Sequence, residues 1–263
     1  MDLGLRGKVA LVAAASRGLG RAVAHELAAE GASLAICSRE ASGIEAAGRE
    51  IAAATGADVL ARAADVTRPG DIAALVEATI ARFGRVDVLV TNTGGPPSGT
   101  FDTHDVAAWR EAAESLLFAP LEFARRVLPG MRARRWGRIL NVTSIAVKQP
   151  VDGLILSNSL RAAVTGWART LANEEARHGI TVNNLLPGHT DTDRVRELAT
   201  ATAAREGLPI EQVLARRERE IPMGRMGTPR EFAALAAFLA SERASYITGT
   251  SIPVDGGWIR ALL

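Results

Sequence analysis

Short apolar runs alternate along this chain with longer segments of helical periodicity, and this alternation restricts the possible folds more than any other feature. The first apolar run covers residues 9–13, a helical segment follows at 18–30, and the next apolar run covers 33–37. Strands that are apolar along their whole length are typical of parallel sheets buried on both faces. Parallel neighbours need crossover connections, which the helical segments supply. We therefore predict an α/β fold with a mainly parallel sheet and helices on both faces.

Five further strands and six further helical segments complete the pattern. We expect Pro120 to kink the helical segment that contains it, and residues 207–209 to interrupt another. No linker, low-complexity stretch or repeat divides the chain, so we predict one doubly wound (Rossmann) domain over residues 1–263, with a seven-stranded sheet. The further strands are predicted at 58–61, 87–90, 138–143, 180–185 and 250–254, and the further helices at 40–54, 69–83, 105–128, 158–177, 194–220 and 229–240.

The basic residues are mostly arginine and are spread along the whole chain. Of the 31 basic residues only Lys8 and Lys148 are lysines, and the formal net charge is +2. Nucleic-acid binding requires a coherent basic stripe, so we interpret these arginines as solvated helix faces and expect no nucleic-acid partner. Cys37 is the only cysteine, which excludes an internal disulfide, and no His and Cys spacing indicates a metal site. Without an apolar run of membrane-spanning length or a visible signal peptide, we expect a cytoplasmic protein that does not bind membranes.

A glycine-containing turn joins the first predicted strand to the first helix. Gly18 and Gly20 allow the backbone to turn sharply and to approach a ligand closely. The helix N-terminus behind them offers unpaired N–H groups and the positive end of the helix dipole. Together these features are typical of a dinucleotide phosphate site. The turn consists of Ala14, Ala15, Ser16, Arg17, Gly18, Leu19 and Gly20.

The end of the second predicted strand indicates which dinucleotide the turn binds. The strand ends in Ser38 and Arg39, where sites for NAD(H) often carry an acidic residue. An arginine at this position suits the 2′-phosphate of NADP(H), and Arg17 in the turn is a candidate second partner. The sequence therefore favours NADP(H) over NAD(H), with no metal.

The order of these motifs resembles the short-chain dehydrogenase/reductase superfamily, and within it the branch of 3-oxoacyl-acyl-carrier-protein reductases, over nearly the whole chain. The glycine turn is similar to the family's Thr-Gly-x-x-x-Gly-x-Gly, with Ala13 and Ala14 in place of the threonine and the first glycine. The resemblance implies further cofactor contacts from the adenine-holding pair, the segment after the fourth strand and the Pro-Gly segment beside the nicotinamide. These residues are Asp65, Val66, Asn92, Gly94, Pro187, Gly188, Thr190 and Thr192.

The catalytic residues are where the chain departs from this family, which uses Asn, Ser, Tyr and Lys. The resemblance places Ser144 at the substrate-orienting serine, whereas Ser157 replaces the tyrosine and Arg161 replaces the lysine. Leu116 stands in place of the asparagine. A serine hydroxyl is far less acidic than a phenol, and an arginine stays protonated, so the family's proton transfer does not carry over unchanged. Arg161 keeps a positive charge that can hold the cofactor ribose or stabilise negative charge.

Two other residues are candidate substitutes for the missing proton donor. Lys148 follows the fifth predicted strand, at the sheet edge where ligands bind in such folds. His189 follows the Pro-Gly segment, and imidazole has a suitable pKa for acid–base work. We interpret His104, by contrast, as a cap for the helix that follows it.

The region between the sixth strand and the last helix is predicted to cover the substrate. We expect residues 191–225 to form a lid, and its arginines favour an anionic ligand only weakly. The family resemblance also implies a homo-oligomer, a tetramer or a dimer. We expect its contacts to come from the helical residues 116–128 and 158–177, together with the C-terminal strand.

Three functions are compatible with this pattern. We favour an atypical oxidoreductase that uses NADP(H) to interconvert a carbonyl and an alcohol on a small-molecule substrate. The alternatives are a non-redox lyase or isomerase on the same fold, and a catalytically inactive NADP(H)-binding protein, since fold alone does not decide function.

Overall fold

Seven strands form one sheet in the computed structural model, which describes residues 2–262. Their order across the sheet is β3-β2-β1-β4-β5-β6-β7, and every neighbouring pair is parallel. The predicted α/β, doubly wound fold is therefore confirmed, with a sheet that is parallel throughout these pairs. The strands are β1 (Val9–Val12), β2 (Ser33–Ser38), β3 (Val59–Ala63), β4 (Val88–Thr91), β5 (Gly137–Val142), β6 (Ile180–Pro187) and β7 (Ser251–Val254).

Helices cover both faces of the sheet and create two separate apolar layers. Alternate residues of β1 point into different layers: Ala10 and Val12 pack with α1, α2 and α9, whereas Leu11 packs with α3, α5 and α6. No helix among residues 2–262 has both the length and the apolar character needed to cross a membrane. The helices are α1 (Gly18–Ala29), α2 (Ala41–Thr55), α3 (Pro69–Phe83), α4 (Val106–Ala113), α5 (Ala119–Arg134), α6 (Ile155–Glu175), α7 (Asp193–Glu206), α8 (Ile210–Glu220) and α9 (Pro229–Ala240).

The segment around Pro120 differs from the prediction of one kinked helix. Helix α4 continues into one wide π-helical turn, Glu114–Phe118, which leads directly into α5. Proline has no N–H to donate to the carbonyl of Leu116 four residues earlier, and the wide turn lies where that bond is missing. The prediction was also too short, because α5 extends to Arg134.

Helices α7 and α8 pack on each other through a small apolar cluster of their own. Its buried members are Ala199, Ala203 and Val213, and none of them belongs to the two layers that flank the sheet. The predicted interruption is confirmed, because Gly207 ends α7 in the left-handed conformation, with φ of 67°. The pair therefore sits on the domain as a small unit with its own core.

The amino-terminal edge of the sheet contains a fully buried arginine. Arg138 in β5 donates to the backbone carbonyls of Gly137, Ser241 and Gly179 at 2.8–3.2 Å. Its guanidinium also lies 3.7 Å from the Glu242 carboxylate and 4.3 Å from the centre of the Trp136 ring. Each part of this cation therefore faces a partner that stabilises it.

Candidate cofactor and substrate site

The turn between β1 and α1 has the geometry of an anion-binding site. Backbone bonds hold it at both sides, from Ala13 N–H to the Val90 carbonyl at 3.1 Å and from Ala15 N–H to the Cys37 carbonyl at 2.9 Å. Arg17 is the N-cap of α1, and its side chain makes no capping hydrogen bond. The first N–H groups of the helix therefore remain available to a phosphate.

Gly20 is required by its contact with the neighbouring loop. A Cβ at this position would lie 2.3 Å from the Ala14 carbonyl oxygen and 2.7 Å from the Asn92 amide nitrogen. That amide donates to the same carbonyl at 3.2 Å, which fastens the loop after β4 to the turn. Gly18 is needed for a different reason, because its φ of +58° is left-handed. These two glycines make a cradle that side chains would fill.

Ala14 adopts a conformation that alanine rarely takes. Its φ is 50°, a value that places the backbone in the left-handed region. The family pattern has glycine here, so the replacement seen in the sequence carries a conformational cost that the sequence alone did not reveal. Strain of this kind is typical of functional sites that the surrounding structure holds in place.

Asp65 and Arg39 lie just beyond the ends of β3 and β2. The Asp65 carboxylate accepts hydrogen bonds from the Thr67 N–H at 3.0 Å and the Thr67 hydroxyl at 2.8 Å. The pKa of Asp65 is lowered mainly by the bond from the Thr67 backbone, and further by the positive charges of Arg68 and Arg39. Arg39 is exposed beyond the end of β2, so its guanidinium is accessible to a ligand. Ser38 before it donates its hydroxyl to the Glu40 carbonyl at 3.2 Å.

Arg17 joins the phosphate turn to α7. Its guanidinium lies 3.6 Å from the Asp193 carboxylate and 3.5 Å from that of Glu197, and all three side chains are largely exposed. Exposed ion pairs of this kind contribute little to stability and can exchange partners easily. Arg17 is thus placed beside the turn, but in this structure it pairs with acids of α7.

The segment after β6 closes over the same turn. Thr192 caps α7 by accepting from the Val195 N–H, and its methyl carbon would be 3.8 Å from a Cβ on Gly18. Gly188 permits a close approach, since a Cβ there would lie 2.7 Å from the Asp255 Cα. Thr190 is buried and donates to the Gly188 carbonyl at 3.4 Å. The structure therefore brings the Pro-Gly segment and the phosphate turn together.

Ser144 follows the carboxyl end of β5, and the helix that carries Ser157 and Arg161 is bonded to the same end of that strand. Ser144 precedes a single 3-10 turn, and its Oγ accepts from the Ala146 N–H at 3.1 Å. Ser157 and Arg161 lie one turn apart on α6, and both are buried. Arg161 donates from Nη1 to the Val142 carbonyl at 2.7 Å, which ties α6 to the strand two residues before Ser144.

The Arg161 guanidinium is buried without a matching negative charge. Its side chain is 9% exposed, and no carboxylate of residues 2–262 lies within ion-pairing distance of it. Burial lowers the pKa of Arg161 to about 10, and the nearby positive charge of Arg194 acts in the same direction. The guanidinium is still protonated at neutral pH, so the site contains a cation that is available to bind an anion.

Arg194 is a site residue that the sequence analysis did not identify. It stands in the first turn of α7 and donates from Nη2 to the Pro96 carbonyl at 2.7 Å. Its guanidinium also lies close to Gly95, since a Cβ there would be 2.9 Å from Arg194 Nε. Arg194 therefore reaches from α7 to the loop after β4. The sequence showed an arginine-rich segment, but not which of its arginines point inward.

The two candidate substitutes for a proton donor lie in different environments. Lys148 is exposed at the end of the 3-10 turn that follows Ser144. His189 is half-buried, and its ring meets the Trp258 ring edge to face, with 5.9 Å between the centroids. Burial lowers the pKa of His189, and the charge of Arg217 lowers it further, so the imidazole is neutral at neutral pH.

Two further predictions concern Leu116 and His104. Leu116 is buried in the π-helical turn, so it offers no polar group where the family has asparagine. The interpretation of His104 as a helix cap is wrong, because the Asp105 side chain accepts the capping bond from the Ala108 N–H at 2.8 Å. A carboxylate is the better acceptor for a helix N-terminus, which explains the difference. Residues 2–262 contain no group of His, Cys, Asp and Glu side chains suited to hold a metal ion.

Several known proteins to which this chain is similar are named reductases. The family described as enoyl-(acyl carrier protein) reductase matches residues 13–259. The 3-oxoacyl-(acyl-carrier-protein) reductase FabG of Vibrio cholerae is 36% identical over 259 residues, covering 97% of this chain and 98% of the relative. The L-sorbose reductase of Gluconobacter frateurii, solved with NADPH and L-sorbose, matches with a TM-score of 0.95 and 34% identity over 100% of both chains. An actinorhodin polyketide ketoreductase solved with NADPH matches with a TM-score of 0.93 and 31% identity over 97% of this chain and 98% of the other.

Proposed function

This chain belongs to the short-chain dehydrogenase/reductase superfamily, and from that premise and the geometry of its site we propose that it is an NADP(H)-dependent reductase. It would interconvert a carbonyl group and an alcohol on a small molecule. The observation that carries the proposal is the buried cation of Arg161 near Ser144, at the carboxyl end of the sheet. Ligands of open α/β sheets bind at this edge.

The residues of the turn fit a dinucleotide. Gly18 and Gly20 leave a cradle without side chains, and the uncapped N-terminus of α1 provides donors for the diphosphate. Around that cradle we assign cofactor contacts to all the positions expected from the sequence. They are Ala14, Ser16, Arg17, Gly18, Leu19, Gly20, Ser38, Arg39, Asp65, Val66, Asn92, Gly94, Arg161, Pro187, Gly188, Thr190 and Thr192.

NADP(H) is favoured over NAD(H) because of Arg39. Its guanidinium is exposed at the end of β2, and no acidic side chain of residues 2–262 pairs with it. A 2′-phosphate would supply the missing partner. Arg17 is available as a second contact once it leaves its exposed acids on α7. The NADPH complexes of the related L-sorbose reductase and polyketide ketoreductase support the same choice.

The reacting oxygen of the substrate would be held by Ser144 and Arg161. Because Ser144 Oγ already accepts from a backbone N–H, its proton is free to be donated to the carbonyl oxygen. The Arg161 cation stabilises the negative charge that develops on that oxygen, and burial strengthens this interaction. When bound, NADPH supplies the hydride. Ser157, one turn before Arg161, would pass a proton to the oxygen through water, with Lys148 as an alternative donor. The neutral His189 would take a proton from water and pass it on.

A second candidate function is NADP(H) binding without catalysis. It is favoured by the loss of three of the four family residues, since Leu116, Ser157 and Arg161 replace the asparagine, tyrosine and lysine. Losing a general acid typically lowers a rate by about 10²–10⁴. The two candidates therefore differ in turnover and agree in cofactor binding.

Calorimetric titration of the protein with NADPH and NADH, followed by a carbonyl assay, tests the proposal. We expect NADPH to bind more tightly than NADH, and Arg39→Ala to weaken NADPH by about tenfold while leaving NADH unchanged. Oxidation of NADPH with L-sorbose or a 3-oxoacyl thioester would support the reductase. Tight binding without oxidation across a wider carbonyl panel would favour the inactive binder, and no binding of either nucleotide would exclude both.

The lid and the assembly are further parts of the proposal. We propose that residues 191–225 form a lid, since α7 and α8 share a small core and reach the phosphate turn through Arg17.

We also propose a cytoplasmic homo-oligomer, a tetramer or a dimer, built through α5 and α6. Phe118 at the start of α5 is 50% exposed and suits such a contact. Light scattering on Phe118→Asp tests the assembly, with a smaller species expected.

A further inference from the structure

The Arg161 guanidinium has more hydrogen-bonding capacity than the protein uses. It carries five N–H donors, of which one is bonded to the Val142 carbonyl. The residue is only 9% exposed, so few positions remain from which water or a ligand can reach the unused donors. Burying a cation without a counter-charge is strongly unfavourable, and proteins keep such groups where a ligand supplies the partner.

A second guanidinium reaches the same place from the lid. Arg194 crosses to the Pro96 carbonyl and lies close enough to Arg161 for its charge to lower the pKa of that residue. Within the described part of the chain, the only carboxylate within 4 Å of its guanidinium is that of Glu197, at 3.7 Å, which is half-exposed and also pairs with Arg17. The two arginines therefore bond to segments at the carboxyl ends of neighbouring strands, Arg161 to the end of β5 and Arg194 to the loop after β4.

A third arginine adds to the positive potential under the lid. Arg217 of α8 is half-buried and donates to the carbonyl of Val195, the residue after Arg194. No carboxylate of residues 2–262 lies within 4 Å of its guanidinium, although Glu220 lies near enough to oppose the lowering of its pKa. Like charges held together in this way indicate an anionic ligand.

The cofactor's diphosphate does not account for this cluster. The phosphate turn follows β1, whereas Arg161 bonds to the end of β5, and β4 lies between these strands in the sheet. Arg161 is therefore on the side of Ser144, where the substrate is reduced.

We propose that the substrate carries an anionic group, a carboxylate or a phosphate, close to its carbonyl, and that Arg194 binds this group together with an N–H of Arg161 that neither the cofactor nor the reacting oxygen occupies. The inference rests on the proposed reductase function and specifies its substrate class. The carbonyl carbon gains a hydride and its oxygen a proton, while the anionic group is unchanged. Arginine suits this task because its planar fork matches carboxylate and phosphate oxygens in pairs.

The test compares anion binding to the NADPH-loaded protein and to three variants. Malonate and inorganic phosphate serve as probes in calorimetric titrations. Arg161→Lys retains the positive charge and introduces the family's own residue, but it removes the planar guanidinium. Arg194→Gln removes the positive charge that α7 contributes. Arg196→Gln is the matched control, because Arg196 lies on the same helix turned to an exposed, bidentate pair with Asp191.

We expect at least one anion to bind the wild-type complex, and both site variants to weaken it by about 10- to 100-fold. The control should bind it unchanged. Steady-state kinetics supply a second readout, because each charged substrate can be compared with an uncharged counterpart. We expect a higher kcat/KM for acetoacetate than for methyl acetoacetate, or for dihydroxyacetone phosphate than for dihydroxyacetone. Arg194→Gln should remove that preference while NADPH affinity and Tm stay near those of the wild type.

Failure of this inference is distinguishable from failure of the proposed function. If NADPH binds but neither anion does, or if all variants bind the anion equally, the anion site is wrong and the reductase proposal stands. If NADPH does not bind, the reductase proposal is wrong. The same titrations on the nucleotide-free protein then decide whether Arg161 and Arg194 still form an anion site.

Discussion

Two buried arginines, one at each end of strand β5, have very different surroundings. Arg138, at the amino end of β5, is surrounded by three backbone carbonyls, the Glu242 carboxylate and an aromatic ring. Arg161, which bonds to the carboxyl end of β5, has one carbonyl partner and a neighbouring cation. We infer from this difference that the buried Arg138 stabilises the amino-terminal edge of the sheet, whereas the buried Arg161 serves ligand binding at the carboxyl edge.

Other charges at the amino-terminal edge follow the pattern of Arg138. The buried Glu175 carboxylate at the end of α6 accepts two bonds from Arg132. Asp87, before β4, is buried against Arg85 and accepts from the Val9 N–H at 2.9 Å. Each buried charge at this edge has an opposite charge beside it, so the edge needs no ligand.

Removing Arg138 should have the largest effect on stability. Arg138→Met removes the donor to three backbone carbonyls and one of the partners of Glu242, which keeps Lys8 and the Trp136 ring N–H. We expect the free energy of unfolding to fall by about 2–4 kcal/mol. Urea denaturation followed by circular dichroism measures this change. A loss of less than about 1 kcal/mol would show that the partners around Arg138 contribute little.

Filling the cradle at the other edge should affect binding more than folding. Gly20→Ala places a methyl group against the Ala14 carbonyl and the Asn92 amide, so the turn must shift. We expect NADPH affinity to fall on the order of 100-fold. Gly43→Ala is the matched control, since its Cβ would meet only Ser16 at 3.8 Å. Equal affinities for the two variants would contradict the proposed role of the turn.

Acid should weaken the amino-terminal edge through Glu175. Bonding to Arg132 lowers the pKa of Glu175 in the folded protein, more than burial raises it. A carboxylate with a depressed folded pKa stabilises the protein above its unfolded pKa of about 4.3, and this stabilisation is lost as the pH falls through the folded pKa. Glu175→Gln should therefore flatten the fall in stability below about pH 4.3. Glu174→Gln, at the exposed neighbouring position, should leave more of the acid-induced loss of stability unchanged. Measuring Tm as a function of pH for both variants tests this.

Relief of strain at the phosphate turn should give the smallest effect. A left-handed conformation costs a residue with a Cβ about 1–2 kcal/mol, and glycine costs about 0.5–1 kcal/mol in chain entropy. Ala14→Gly should therefore stabilise the fold by about 0.5 kcal/mol. Thermal denaturation measures the shift, and a clear loss of stability would show that the alanine methyl makes a contact that outweighs the strain.

The fold was predictable because its signal is local and repeated. Continuous apolar strands, interleaved with helices that often end at glycine, identified the parallel sheet and most of its elements. The π-helical turn before Pro120 was missed, because a missing N–H can be accommodated either by a kink or by a wider turn. The prediction of a cap at His104 was wrong for a different reason, since it overlooked the adjacent Asp105, whose carboxylate is the better acceptor at a helix N-terminus.

The site was predictable by position but not by environment. Register with the family located Ser144, Ser157 and Arg161, yet the lack of an acid beside Arg161 depends on tertiary packing. Arg194 was missed because its direction is set by how α7 packs on α8. The strained φ of Ala14 was likewise invisible, although an alanine in a glycine position is the signal that could have revealed it.

The comparison of the two arginines is tested most directly by Arg161→Met, with Arg138→Met as its reference. Replacing Arg161 removes one bond to the Val142 carbonyl but also an uncompensated buried charge. We predict that its free energy of unfolding in urea stays within about 1 kcal/mol of the wild type, while anion binding to the NADPH complex is lost. A destabilisation as large as that of Arg138→Met, with anion binding retained, would contradict the account.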